Sequence, residues 1–186
     1  MRILHLDSSA LGSNSVSRLL TQHLSQQLQT KFPEASYQYL DLATTLLPHW
    51  HPNHLDEKDT KILNDFIESE FVILGAPMYN FSIPSTLKAW IDRISVAGKT
   101  FTYTEKGPLG LMQGKTVFIV SSRGGFYQET FQELDHQETY LKTIFRFLGV
   151  TNIHWIRAEG YQQKPEQREV IINQALNSIN PLISSL

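Results

Sequence analysis

Glu70-Phe71-Val72-Ile73-Leu74-Gly75-Ala76-Pro77-Met78-Tyr79-Asn80-Phe81 joins an apolar run to an aromatic loop, and the architecture of the chain follows from it. Its first half is a short apolar run, the pattern of a strand buried on both faces of a parallel sheet. Pro77 stiffens the exit and disfavours helix at Ala76. Ser82-Ile83-Pro84 then opens a helical pattern, with Pro84 tolerable in a first turn. The intervening loop stands at the carboxyl end of a central strand, where open α/β sheets bind ligands. Met78, Tyr79 and Phe81 beside Asn80 suit a flat, amphiphilic ligand. The same aromatics would also serve a loop folded under the core.

Outward from this stretch, strand and helix patterns alternate. Ile3 to Leu6 reads as the first strand. Val16, Leu19, Leu20, Leu24 and Leu28 mark an amphipathic helix after it. Ser36 to Leu40 is a weaker strand, placed toward the sheet edge by Tyr37 and Tyr39. Asp41 to Leu55 is irregular, with Pro48 and Pro52 inside it. A helix starts at an Asp56 N-cap and carries Ile62, Leu63, Phe66 and Ile67. The helix after the decisive loop presents Ile83, Leu87, Trp90, Ile91 and Ile94 and ends at Gly98. Lys99 to Gln113 reads as a loop, Lys115 to Val120 as the fourth strand, and Ser121 to Gly125 as another loop. Thr139 to Leu148 is helical and stopped by Gly149. Asn152 to Ala158 is the fifth strand, and a last helix runs from Glu166 to Asn180, ended by Pro181. Five strand–helix units predict one α/β domain over residues 1–186, with a parallel sheet and helices on both faces.

Composition narrows the function. The 186 residues are 41% hydrophobic and carry a net charge of -2. No basic block appears, so neither nucleic acid nor an anionic membrane is an expected partner. There is no cysteine, which excludes thiolate nucleophiles, disulfides and cysteine-ligated metals. No signal-peptide core and no bilayer-length apolar stretch is found, so a cytoplasmic protein is expected.

Three loops follow strands at one end of such a sheet and should converge on one site. The first, Asp7 to Ser17, offers the hydroxyls of Ser9, Ser13, Ser15 and Ser17 at a helix N-terminus, a setting for phosphate. Ordinary helix capping is the competing account. No Gly-Lys-Ser/Thr follows, and Gly12 stands alone, so neither a Walker loop nor a dinucleotide fingerprint is present. A mononucleotide fits better. The third loop, Ser122-Arg123-Gly124-Gly125, has two glycines that let backbone approach a ligand. His49, His51 and His54 match no metal-ligand spacing and read as a surface loop, so no metal is expected. A Gly-x-Ser-x-Gly elbow is absent. Asp7 follows the first strand, whereas a phospho-acceptor aspartate of receiver type follows the third.

Met78-Tyr79-Asn80-Phe81, Ser122-Arg123-Gly124-Gly125 and the Ser9/Ser15–Ser17 loop together resemble the FMN-binding segments of the FMN-dependent NADH-azoreductase family, which are flavodoxin-like quinone reductases. The resemblance continues through Leu87-Lys88 to Asp92, Thr100-Phe101, Tyr103-Thr104-Glu105, Gly107-Pro108 and Ala158-Glu159-Gly160. It implies a five-stranded parallel sheet of order 2-1-3-4-5 and a homodimer. It implies that Ser9, Ser15, Val16 and Ser17 hold the FMN phosphate. Met78, Tyr79, Asn80 and Phe81 would bracket the flavin ring, and Ser122, Arg123, Gly124 and Gly125 would complete its pocket. NADH or NADPH would be the donor and a small planar quinone or azo compound the acceptor. Tyr79, Phe81, Tyr103, Phe126 and Tyr127 would supply substrate walls, with Phe145 reaching the other subunit's site. No side chain is assigned a catalytic role, since the flavin carries the chemistry. The 42–55 segment is compact beside that of many family members. The alternative reading is a flavodoxin-like electron carrier. Carriers usually surround the flavin with acidic residues, and these loops bring Arg123 and Lys88 instead.

Overall fold

The computed structural model describes residues 1–51, 56–127 and 131–186. Strands β1 (Arg2–Asp7), β2 (Ser36–Asp41) and β3 (Phe71–Pro77) alternate with helices α1 (Val16–Lys31), α2 (Glu57–Glu68) and α3 (Ser85–Ile94). A two-stranded hairpin follows, β4 (Phe101–Thr104) and β5 (Gly107–Gly110). Then come β6 (Thr116–Arg123), α4 (Glu138–Phe147), β7 (Asn152–Glu159), α5 (Arg168–Asn177) and α6 (Ile179–Ser184). The main sheet is parallel with order β2-β1-β3-β6-β7. The hairpin aside, this is the predicted 2-1-3-4-5 order. The chain moves outward from β1 to β2 and then returns past β1 to β3. The crevice between β1 and β3 is thus the topological switch point.

Side-chain alternation divides the core into two layers. Leu4, Leu6, Val72, Leu74, Val117 and Ile119 face α2, α3 and α4. Ile3, Ile73, Phe118, Val120 and Ile156 face α1, α5 and α6. Asp56 caps α2, its carboxylate accepting the Asp59 N–H at 2.8 Å. Among the described residues, no helix is long and apolar enough to cross a membrane.

Four local expectations are corrected. Residues 99–113 are not one loop, because Phe101-Thr102-Tyr103-Thr104 pairs antiparallel with β5. The Phe101 ring packs on Phe147 with centroids 4.5 Å apart, and Met112 N–H donates to Leu148 O at 2.8 Å. These contacts dock the hairpin on the end of α4. Helix α3 stops at Ile94 rather than Gly98, because the Thr100 hydroxyl donates to Ile94 O at 2.6 Å and closes the 95–100 turn. The last helix breaks at Ser178, and Pro181 lies in the first turn of α6, where its missing N–H is no loss. Strand β6 runs on through Arg123, so Ser121, Ser122 and Arg123 belong to the sheet and pair with Arg157, Ala158 and Glu159.

Under the opposite end of the sheet, Lys115 is buried over the Phe66 ring and donates to Ile67 O at 2.7 Å and to Ser69 O. Burial pushes its pKa down to about 8, with Glu70 pulling it back upward. Between about pH 8 and 10.5 the unfolded chain therefore holds more protons than the folded one, and stability rises with pH in that window. Urea unfolding across this range should show that rise in the wild type. Lys115→Met should flatten it.

Candidate functional site

The loops after β1, β3 and β6 are stitched together by backbone contacts. Ser8 donates its N–H and its hydroxyl to Gly75 O, at 3.2 and 2.7 Å. Met78 N–H donates to Ser122 O at 2.9 Å. Between them lies a hollow of about 420 Å³ that runs from Ser9, Ser15 and Val16 past Met78 to Ser122 and Gly124. A second hollow of about 440 Å³ shares Met78, Asn80 and Gly124 with it and continues past Phe81, Gly125 and Tyr127. Each lies within the usual size of a ligand pocket, about 300–1,000 Å³.

At the first end, the Ser15 hydroxyl caps α1, accepting the Arg18 N–H at 3.3 Å, and lies 3.0 Å from the Ser17 hydroxyl. Capping and anion binding are therefore not exclusive here. The first-turn N–H groups of Val16 and Ser17 have no partner within a helix. The Val16 side chain is buried in the core, so only its backbone can serve a ligand. Ser13 lines a different cavity, which Ser15 shares, and does not line the first hollow, so it leaves the expected group of four hydroxyls.

The decisive stretch makes a two-residue reverse turn. Tyr79 and Ser82 exchange backbone hydrogen bonds at 2.9 and 3.0 Å around Asn80 (φ +49) and Phe81 (φ +67). Two successive left-handed residues are the geometry of a type I′ turn. Asn tolerates that region, whereas Phe is costly there. The Phe81 ring is nonetheless half exposed beside Tyr127, edge to face with centroids 6.3 Å apart. Such local strain is typical of functional sites. Phe81→Gly should raise unfolding free energy by about 0.5–1 kcal/mol while weakening planar-ligand binding. Urea denaturation beside flavin titration would check both signs. Tyr79 points away from this ring. Its hydroxyl accepts the Ala10 N–H at 3.1 Å and lies 3.3 Å from Ser9 Oγ, joining the second loop to the first.

Arg123 is placed differently from expectation. Its side chain is wholly buried on the α4 side of the sheet. The guanidinium sits 2.6 Å from Glu159, 3.0 Å from Asp135 and 2.6 Å from Glu138, and its Nε donates to Gln137 at 2.9 Å. Burial raises the Glu159 pKa, and the Arg123 charge works against that. Arg123 therefore brings no cation to the cleft, because three carboxylates hold it inside. Only its backbone is near the site.

Gly124 lines both hollows and Gly125 the second. A Cβ on Gly124 would fall 2.3 Å from Gln162 Oε1, so the missing side chain makes room for Gln162 as well as for a ligand. Gly160 (φ +79) has the Phe126 ring where its Cβ would stand, and donates to Arg123 O at 3.0 Å. Phe126 thus packs on Gly160 and is not a wall of the cleft. Tyr103 is 72% exposed on the hairpin and lines neither hollow. Phe145 is fully buried in the core layer against α4, so its ring does not reach outward to another subunit. Spacing alone favours that core position. His54 lies outside the described residues.

Tyr161 and Gln162 line the first hollow and are not among the expected site residues. They follow the fifth strand of the sheet, and a loop after a parallel strand is itself the signal for them.

A family model described as "Flavodoxin-like fold" matches residues 1–182. An "FMN-dependent NADH:quinone oxidoreductase" of Rhizobium meliloti (strain 1021) is 46% identical over 196 residues, covering 96% of this chain and 95% of its own. One of the same name from Stenotrophomonas maltophilia (strain K279a) is 44% identical over 186 residues, with 96% and 94% covered. An azoreductase structure from Bacillus anthracis str. Sterne superposes with TM-score 0.92 at 28% identity over 100% of both chains. A Bacillus anthracis str. Ames Ancestor FMN-dependent NADH-azoreductase in complex with FMN shares the fold, with TM-score 0.83 at 22% identity over 98% of each chain. Matched along nearly its whole length, this chain belongs to the flavodoxin-like family that includes the FMN-dependent NADH:quinone oxidoreductases.

Proposed function

We propose that this chain is an FMN-dependent NAD(P)H oxidoreductase that reduces quinones or azo compounds in two half-reactions. The observation that carries this reading is the pair of joined hollows, hydroxyl-rich at the N-terminus of α1 and lined by aromatics and backbone at the Asn80–Phe81 turn. This suits a cofactor with a phosphate at one end and a flat polar ring at the other. The names of the relatives at 46% and 44% identity support it.

Bound FMN would supply the hydride chemistry that carries two electrons and a proton from the nicotinamide to the acceptor. The chain's own part is to bind and orient. Ser9, Ser15 and the first-turn N–H groups of Val16 and Ser17 hold the phosphate. The backbones of Met78, Tyr79, Asn80 and Phe81 on one side, and of Ser122, Arg123, Gly124 and Gly125 on the other, bracket the ring. Backbone N–H groups of these loops not already bonded within the protein would stabilise negative charge developing on the ring. The half-exposed Phe81 ring, braced edge to face by Tyr127, offers an apolar face for a planar substrate. The reading includes a single domain, a homodimer and a cytoplasmic location. The exposed Tyr103 and Leu109 of the hairpin support the homodimer, and the absence of cysteine fits the location.

The test is an anaerobic titration of the FMN-loaded protein with NADH, then menadione, followed by flavin absorbance. Bleaching by NADH and recovery with menadione are expected. Tight FMN binding without bleaching by NADH or NADPH would favour the electron carrier. Failure to bind FMN would overturn both.

A further inference from the structure

Behind the phosphate end of the cleft lies a polar cluster that the proposed reaction leaves unused. His5 and Asp7 of β1 share a sheet face with Tyr37, Tyr39 and Asp41 of β2, because the parallel register pairs His5 with Tyr39 and Asp7 with Asp41. Helix α1 lies over them, and a cavity of about 530 Å³ opens between it and the two strands. Arg18 reaches from α1 into this cluster and is the hub of it.

The Arg18 guanidinium donates twice to the backbone carbonyl of Ser9, from Nη2 at 2.8 Å and from Nε at 3.2 Å. Nη2 also meets Asp41 Oδ1 at 2.6 Å, and Nη1 donates to the Tyr39 hydroxyl at 3.0 Å. Tyr39 in turn donates to Asp7 Oδ2 at 3.1 Å, while the Thr21 hydroxyl donates to Asp7 Oδ1 at 2.8 Å. Asp41 also accepts the Ala43 N–H at 2.9 Å, so the carboxylate is itself held in place. The bond to Asp41 raises the Arg18 pKa further. Burial alone would raise the Asp7 pKa, but His5, Thr21 and Arg18 lower it. Arg18 thus stands beside two carboxylates in a mutually bonded cluster.

The consequence lies in the Ser9–Ala10 peptide. A trans peptide points its C=O and N–H in opposite directions. With the Ser9 carbonyl held by Arg18, the Ala10 N–H turns the other way, and it meets the Tyr79 hydroxyl at the cleft. A carbonyl turned into that space would repel a phosphate. We infer that Arg18, braced by Asp41 and Tyr39, is the positioning residue of the phosphate end: it keeps the Ser9 carbonyl out of the cleft and the Ala10 N–H toward it. Its role is geometric, because the carboxylates of Asp41 and Asp7 beside it more than offset its charge. The inference rests on the proposed placement of the FMN phosphate at Ser9 to Ser17.

The experiment compares FMN with riboflavin, which lacks the phosphate, by flavin-fluorescence titration of the apoprotein. Wild type, Arg18→Met, Arg18→Lys and Asp41→Asn are each titrated, with thermal unfolding of each apoprotein as a second readout. Arg18→Met should raise the FMN Kd by about tenfold or more and change the riboflavin Kd by no more than about twofold. Arg18→Lys should recover little of this, because one ammonium cannot bond Ser9 O twice and Asp41 as well. Asp41→Asn should shift FMN in the same direction by a smaller factor. Equal losses for both ligands would show a merely structural role and overturn the inference. Full rescue by Lys would assign the effect to charge and also overturn it. A wild type that binds riboflavin as tightly as FMN would instead overturn the phosphate placement beneath it.

Discussion

Arg123→Met should lower the unfolding free energy by about 3–5 kcal/mol, the usual cost of removing one partner from a buried ionic group. The guanidinium is wholly buried and stands within 3.0 Å of carboxylates on Asp135, Glu138 and Glu159. Its loss leaves one buried carboxylate, Asp135, and two partly buried ones, Glu138 and Glu159, with Arg157 as a partner on Glu138 at 2.8 Å. The damage should extend to the cleft. Arg123 holds Gln137, whose amide donates to Ala76 O at 2.8 Å, and the adjacent His136 N–H donates to Phe81 O at 3.0 Å. FMN affinity should therefore fall as well. The pH dependence has a definite sign. Glu159 already has a raised pKa in the folded state, chiefly from burial, and loss of the opposing Arg123 charge raises it further. An acid with a raised folded pKa destabilises the fold above its unfolded pKa. The deficit of the variant should thus be larger at pH 8 than at pH 5. Urea unfolding at both values checks the prediction, and a loss below about 1 kcal/mol at pH 8 would contradict the cage.

Asn80→Pro should reduce FMN affinity by at least about tenfold and destabilise the protein by about 3 kcal/mol. Proline holds φ near about -65°. Asn80 stands at φ +49, so the turn cannot form around it. The Tyr79–Ser82 pair would open and free the Tyr79 ring. The Tyr79 hydroxyl would then leave Ala10 and Ser9, so the effect would spread from the ring end to the phosphate end. Asn80→Gly is the matched control. Glycine accepts the left-handed backbone without penalty, so FMN affinity should stay within about threefold and stability should hold or rise. Isothermal titration with FMN and urea unfolding of both variants give the comparison. Equal behaviour of the two would contradict the role assigned to this turn.

Much of this molecule is legible in its local sequence patterns. Residues 71–77 identify themselves because a strand buried on both faces reads as a nearly continuous apolar run, and Pro77 marks its end. The helices declare themselves by periodicity, and Asp56 by its place before a helix. The β4–β5 hairpin escapes such a reading because Gly107-Pro108 looks like loop punctuation, although Phe101-Thr102-Tyr103-Thr104 has strand composition.

The strand–helix order and the three loops that meet at the carboxyl edge are encoded in local burial patterns. Where the chemistry-bearing side chains point is set by long-range packing. Arg123 follows β6 onto the α4 face and into three carboxylates, Phe145 into the core, and Tyr79 toward the neighbouring loop. Arg18, an ordinary helix residue in the pattern, reaches the Ser9 carbonyl and Asp41. The physical reason is the same for each polar group. A buried charge or hydroxyl must find its partner, and that partner lies on another element at a distance in sequence that no local period encodes.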